Sequence, residues 1–441
     1  MVENKASFEE DDNRAQDTPI YLNNAGKAIL DPEVVDVGHS MVNQPPFVHP
    51  PPDLQDRIRS LFSQLIHADP DEIAIVPSTA FAITMAAKNI QRLHLRHVQQ
   101  IQQDQASCTN TNTKLRTKIL LLQDQMCSAV YPWQQICDES RIDDRTSANP
   151  LSLHVVPSPK EQSGGWTEAI LSELSMQADQ ILVACLPPLH WSDGSLVNLN
   201  DIAPICHNND IVLVLDATQA VGVMPLDVHK MRPAMLACSI HKWLRGPSGA
   251  SLVYIDRQLH EAWEPLDQHG RSRDMKYAAA WEAYPNQMTP DGYNEIFCHG
   301  ARKFDSGGKP NSIILPMLQK SLEQVVERVD LDACQSELEG IVEPFLKWLR
   351  RNTDMFILPP GPHVFHLMGI RPTGQWLNVP QMLEIVQKME NERIYLAVRC
   401  GAFRVAPYLN STRAEMKRFV SVFEKVVQSY ASSNLSTPLP A

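Results

Sequence analysis

IVLVLDATQAVGVMPLDV (residues 211–228) and SIHKWLRGPSGASLVYI (residues 239–255) are the two stretches that decide the fold. The first opens on an unbroken apolar run, Ile211–Leu215, which stops at Asp216; Gln219 follows three residues on. A strand buried on both faces reads this way, because no alternate position has to meet water. A carboxylate at the carboxyl end of such a strand stands where open α/β sheets bind ligands. In the second stretch Ser239, His241 and Lys242 precede Gly246–Gly249 and a further apolar run.

The same rhythm extends outward on both sides. Ile73–Val76, Ile119–Leu122, Leu153–Val156 and Ile181–Leu186 read as buried strands, with helical patterns at Thr79–Leu93 and Thr167–Gln177 between them. Alternation of this kind predicts an α/β layered domain on a mostly parallel sheet. Residues 95–118 are Gln-rich and polar and predict an extended surface excursion. A helical region at Leu318–Asn352 is followed by strands at Met355–Leu358 and Val364–Gly369, a helix at Val379–Glu392, a strand at Ile394–Val398 and a last helix at Thr412–Ser429. These predict a second, α+β domain. The expected organisation is a disordered start (1–17), an N-terminal segment of the small domain that covers the substrate (18–60), a large domain (61–318), a C-terminal small domain (319–432) and a flexible tail (433–441).

Composition excludes several function classes. The 441 residues carry a formal net charge of -12 with no basic tract, so a phosphate-backbone partner is not expected. No stretch approaches the roughly 18 to 20 apolar residues that span a bilayer, and no membrane association is expected. The start of the chain lacks the basic region and apolar core of a secretion signal. The nine cysteines show no CxxC pairs and the fifteen histidines no HExxH spacing. Reduced thiols, a cytoplasmic location and no metal are expected.

Lys242, Asp216 and Gln219 match what pyridoxal 5′-phosphate (PLP) requires. A lysine amine forms an imine with the cofactor's aldehyde, and Lys242 is the candidate. A carboxylate facing the pyridine nitrogen keeps it protonated, a place for Asp216. A donor meets the phenolic oxygen, and Gln219 is one short turn away. The 5′-phosphate takes a helix N-terminus and hydroxyls. Ser239 and His241 precede the lysine, and Ser78 and Thr79 follow a strand at a helix start. Each residue alone has a plainer reading: a strand-end turn for Asp216, a core histidine for His241, a helix cap for Ser78 and Thr79. The spacing of the set favours the chemical one.

With RKFDSGGKPNSI (302–313), FRVAPYLNS (403–411) and PLHWSDG (188–194), these stretches resemble the class V aminotransferase family, which includes cysteine desulfurases, isopenicillin N epimerase-like enzymes and kynureninase. The resemblance implies PLP fold type I: a mainly parallel seven-stranded sheet in the large domain plus a small α+β domain, in a homodimer. It also implies an amino-acid-like small-molecule substrate. Lys242 would carry the cofactor and then move a proton at the substrate Cα. Arg404 would grip the α-carboxylate, as a bidentate guanidinium suits. His190 and Trp191 would line the substrate side or pack under a loop, and Asn24 would approach the substrate or form a turn.

Three positions depart from the family pattern. DQMCSAVYPW (124–133) offers Met126 or Cys127 where many members place a ring over the cofactor. Gly307-Gly308 replaces a Gly-Thr, leaving backbone NH groups for the phosphate. No cysteine lies in Lys388–Arg393, and Cys400 precedes Arg404 by four residues, on an expected strand, so sulfur transfer through a persulfide is disfavoured. Epimerisation, transamination, C–S or C–N lysis and carbon–carbon bond-forming cyclisation all stay open, and the divergence points to specialised metabolism. A degenerate PLP-fold scaffold that binds a partner is the reading from another class.

Overall fold

The computed structural model describes residues 18–106, 115–160, 164–273, 288–289, 292–293, 295–374 and 376–434. The disorder expected for 1–17, part of the 95–118 excursion (107–114) and most of the expected tail (435–441) lie outside these residues.

In chain order the elements are β1 (Ile20–Tyr21), α1 (Pro32–Val42), α2 (Leu54–Ile66), β2 (Ile73–Val76), α3 (Thr79–Ala106), β3 (Lys118–Leu122), α4 (Tyr131–Ile142), β4 (Ser152–Val156), α5 (Trp166–Gln177), β5 (Ile181–Leu186), α6 (Leu199–Asn208), β6 (Val212–Asp216), α7 (Val228–Met231), β7 (Met235–Ser239) and β8 (Ser251–Ile255). There follow β9 (Met288–Thr289), β10 (Gly292–Tyr293), α8 (Ile314–Arg328), α9 (Leu331–Arg351), β11 (Phe356–Ile357), β12 (Met368–Pro372), α10 (Val379–Asn391), β13 (Ile394–Tyr395), β14 (Ala397–Arg399), β15 (Ala402–Val405) and α11 (Arg413–Asn434).

The chain forms two compact units: Lys27–Trp191 with Leu196–Leu331, and Met1–Gly26 with Ser192–Ser195 and Asp332–Ala441. Residues 27–60 and 319–331, expected in the small domain, fold in the larger unit. There α8 packs on α1 and α2. Gln324 donates to Asp31 (3.0 Å), and Lys320 and Arg328 both pair with Glu33 (2.6 and 2.8 Å).

The larger unit is built on a seven-stranded sheet of order β2-β8-β7-β6-β5-β3-β4. Only β8 runs against the others. Strands β2 and β5 are buried at every position, as their unbroken apolar runs predict, and so is β8, whereas Leu153–Val156, expected to be buried, lies in the edge strand β4 with Val155 48% exposed. Because the other six strands are co-directional, the residues after β2, β3, β5, β6 and β7 all emerge at one edge of the sheet. Most of the cofactor candidates lie there. One expectation fails nearby: α3 does not give way to a loop at residue 95 but continues to Ala106. Gln, Arg and Leu are good helix formers. Val98 is buried on the helix face, and the buried His94 ring bonds the Asn149 carbonyl (2.9 Å).

The smaller unit has a four-stranded antiparallel sheet of order β11-β12-β15-β14, and β1 pairs parallel with β13. Its core is strongly aromatic, with Phe345, Trp348, Phe356, Phe403, Phe419 and Phe423 in mutual ring contact. The strand expected at Val364–Gly369 begins only at Met368, because the Val364 amide bonds the Gly194 carbonyl (3.1 Å) instead of a sheet neighbour.

Candidate active site

At the carboxyl edge of β6 the Asp216 side chain is 8% exposed. Its Oδ1 accepts from the Thr218 amide two residues on (3.1 Å), so the turn after the strand holds the carboxylate in place. Burial pushes the Asp216 carboxyl up, while Thr218 hydrogen bonding and the Lys242 charge pull it back.

Lys242 stands in the turn after β7, half-buried. Two backbone bonds shape that turn, Arg245 N–H to the Lys242 carbonyl (3.0 Å) and Gly246 N–H to the Ile240 carbonyl (2.8 Å). The N-terminal segment lies on it: Ala28 N–H donates to the His241 carbonyl (2.9 Å) and Arg245 Nη2 to the Ile29 carbonyl (2.9 Å). Burial, then the charges of Lys242 and Lys27, hold the His241 ring below its usual pKa. Gln219 is buried, and its Oε1 accepts from the Trp243 indole N–H (2.8 Å).

A cluster of hydroxyls lies where α3 begins. Thr79 Oγ1 is 2.7 Å from Ser239 Oγ, 3.3 Å from Ser251 Oγ and 3.4 Å from Thr218 Oγ1. Thr218 Oγ1 in turn accepts from the Ser239 amide (3.2 Å). The cluster thus joins the ends of β2, β6, β7 and β8. Ser78 Oγ accepts from the Phe81 amide (3.1 Å) and caps α3.

The β3–α4 loop carries Met126, half-buried, next to an exposed Cys127. The His190 ring bonds the Gln123 carbonyl (3.1 Å) and stacks on Trp166 (5.2 Å), and Trp191 Nε1–H donates to the Asp124 carbonyl (2.7 Å). Both side chains brace this loop from the end of β5. Gly308 lies in the exposed 307–313 stretch at φ 83°, where an added Cβ would meet nothing within 4 Å. That stretch is anchored by Asp305, which pairs with the buried Arg59 and accepts from the Ile75 amide (2.8 Å).

Arg404 and Asn24 belong to the smaller unit. Arg404 is 2% exposed on β15, between β12 and β14, and its Nη2 donates to Asn23 Oδ1 (3.2 Å). Burial, with the Arg399 charge second, pushes its guanidinium down to about 10. Asn24 is buried, and both its amide and its Nδ2 donate to the Ala406 carbonyl (3.1 and 3.0 Å). That geometry makes Asn24 a tie between the N-terminal segment and the end of β15. Cys400, expected on a strand, is exposed at the β14–β15 turn with φ 48°, followed by Gly401 at φ 72°. Positive φ at both positions is the signature of a two-residue type I′ hairpin turn.

Thr218, Ser251, Trp243 and Asn23 escaped the sequence. Thr218 could have been found from its place two residues after Asp216, a spacing at which an aspartate commonly bonds a backbone amide. Among the described residues no helix is long and apolar enough to cross a membrane, and no group of three His, Cys, Asp or Glu is placed to hold a metal ion.

The chain is 22% identical over 367 residues to the uncharacterized aminotransferase YcbU of Bacillus subtilis (82% of this chain, 81% of that protein). It is 23% identical over 393 residues to a probable cysteine desulfurase of Pyrococcus abyssi (85% and 84%). The solved structure of the cysteine desulfurase CsdA from Escherichia coli superposes with a TM-score of 0.72 at 17% identity, covering 97% of this chain and 100% of that one, and shows the shared fold. The Aminotransferase class-V family model matches residues 20–294. The chain therefore belongs to the class V aminotransferase family, with the type I fold and the PLP cofactor of that family.

Proposed function

We propose that this protein transforms an α-amino acid at Cα, with Lys242 as the lysine that carries PLP. The observation that carries the reading is the buried Asp216 carboxylate within the field of Lys242, at the sheet edge where the hydroxyls of Thr79, Thr218, Ser239 and Ser251 converge. The donor set suits the cofactor. A carboxylate raised by burial gains most from a neighbouring cation, which a protonated pyridine nitrogen supplies. An amide donor and hydroxyls at the start of a 28-residue helix suit a phenolic oxygen and a phosphate.

In this reading Asp216 holds the pyridine nitrogen protonated, Gln219 donates to the phenolic oxygen, and Ser78, Thr79, Ser239 and His241 hold the phosphate. Bound PLP supplies an electron sink that weakens bonds to the substrate Cα. Lys242 takes the proton from Cα and returns it. Arg404 is the partner of the substrate carboxylate. His190 and Trp191 act by fixing the loop that presents Met126. A homodimer belongs to this reading, with the exposed Gly307-Gly308 stretch serving a second copy, as does a cytoplasmic role in specialised metabolism. The latter is supported by Met126 and Gly308 standing where the family pattern has other residues.

A second reading is cysteine desulfuration. The sequence-based expectation against it finds no support in relatives that carry that name, and the exposed hairpin position of Cys400 removes its strand-based part. One experiment separates the outcomes. The purified protein is scanned for the absorbance of lysine-bound PLP with and without borohydride, then incubated with an amino-acid panel in D2O. Deuterium at Cα, pyridoxamine phosphate, pyruvate with ammonia, or alanine with persulfide each names a reaction. Absence of any PLP band, before or after added PLP, would leave only a binding scaffold.

A further inference from the structure

We infer that Trp243, the residue after the cofactor lysine, is a positioning residue that fixes which end of the Gln219 amide faces the cofactor. The inference rests on the proposed role of Gln219 and deepens it. An indole N–H can only donate, so the group 2.8 Å from it must be the amide oxygen of Gln219. With its oxygen held there, the amide turns its NH2 end the other way. That end is a donor, and a phenolic oxygen is an acceptor. Flipped, the amide would set oxygen against oxygen.

The packing around this bond is tight. Trp243 is 1% exposed and Gln219 5%, so water does not compete for either partner. Gly222 closes the turn that carries Gln219 at φ 93°, and a Cβ added there would lie 2.8 Å from the Trp243 carbonyl oxygen. Only a glycine lets the two turns approach this closely. The turn that bears Lys242 and the turn that bears Gln219 are therefore joined twice, by backbone contact at Gly222 and by the indole bond. Trp243 thus ties the turn of Gln219 to the turn of Lys242, the two turns that would face the cofactor.

With PLP bound, a donor at the phenolic oxygen would stabilise its negative charge and so lower the pH at which the lysine-bound cofactor gives up its proton. Losing the donor makes that proton harder to remove. The test is the pH midpoint at which the absorbance band of the lysine-bound cofactor shifts, measured on the holoprotein. Gln219→Ala should raise the midpoint by about one pH unit, the size of a hydrogen bond to a charged group. Trp243→Phe should raise it by a smaller amount in the wild-type background and leave it unmoved in the Gln219→Ala background. Trp243 replaced by benzothienylalanine keeps the ring's shape while removing only the N–H, and serves if the phenylalanine variant does not fold. If Trp243 variants shift the midpoint equally in both backgrounds, or not at all while Gln219→Ala does, the positioning role is overturned and the Gln219 reading stands. If Gln219→Ala leaves the midpoint in place, the Gln219 reading falls and takes the inference with it.

Discussion

Thr79 Oγ1 and Ser239 Oγ lie 2.7 Å apart although Thr79 comes after β2 and Ser239 ends β7. The contact fixes the first turn of α3 against the strand end that leads to Lys242. Thr79→Val keeps the side chain's shape and removes the hydroxyl, and with it the proposed hydrogen bond to the cofactor's charged phosphate, worth about 1.5–3 kcal/mol. PLP retention should fall about tenfold or more, since 1.4 kcal/mol is a factor of ten. Ser239→Ala should do the same. Equilibrium dialysis followed by absorbance measures it. Unchanged retention with a lowered melting temperature would make the cluster a structural network alone.

Asp216 predicts a pH dependence whose sign follows from its burial. The cofactor-free folded protein holds the Asp216 proton more tightly than the unfolded chain does, because burial raises its pKa. The stability this contributes is complete below the unfolded value of about 3.9 and is lost as pH rises through the raised folded value. Asp216→Asn has no such proton, so its melting temperature should fall less over the same window. Added PLP should stabilise the wild type more than Asp216→Asn, because the variant cannot supply the ionised partner. Equal gains in melting temperature on adding PLP would count against the pairing with the pyridine nitrogen.

What was legible in the sequence was whatever burial alone dictates. An apolar run such as Ile181–Leu186 has one stable home, the inside of a covered sheet, and β5 is buried at all six positions. Apolarity does not say which backbone a strand bonds. Val364 is buried as its pattern requires, yet its amide serves Gly194, so β12 starts four residues late. The long helical region is interrupted where Val329 is extended at φ -110° and ψ 112°, which ends α8 before α9 begins. In the candidate site, Asp216, Gln219 and Lys242 could be proposed from the sequence because each is marked by its position along the chain. The Trp243 bond to Gln219 and the Asn23 bond to Arg404 join residues 24 and 381 positions apart, and no local pattern encodes them.

Arg59 and Asp305 form an ion pair with side chains only 2% and 15% exposed, and Arg59 also bonds the Ile73 carbonyl. Breaking a buried pair from one side strands the other charge, at about 3–5 kcal/mol. Arg59→Met should therefore destabilise the protein by that order in urea unfolding. Arg59→Met combined with Asp305→Asn should recover part of the loss, because no uncompensated charge is left. A double variant that simply adds the two single losses would show that the pair contributes through packing.

Arg404 gives a test of substrate binding that avoids the substrate's amine. Its guanidinium, pushed down to about 10, is charged at neutral pH and loses its proton as pH rises through that value. Propionate carries a carboxylate and no amine, so it could not take the place of Lys242 on the cofactor. Its inhibition of the wild type should hold steady from neutral pH upward and weaken as pH passes about 10. Arg404→Lys keeps a charge but loses the flat two-pronged donor face and should weaken propionate by about tenfold, with Arg404→Gln weaker still. The PLP band should be the same in all three proteins, because the cofactor's proposed partners are other residues. Propionate that inhibits Arg404→Gln as well as the wild type would assign the carboxylate to another group and return Arg404 to a role inside its own sheet.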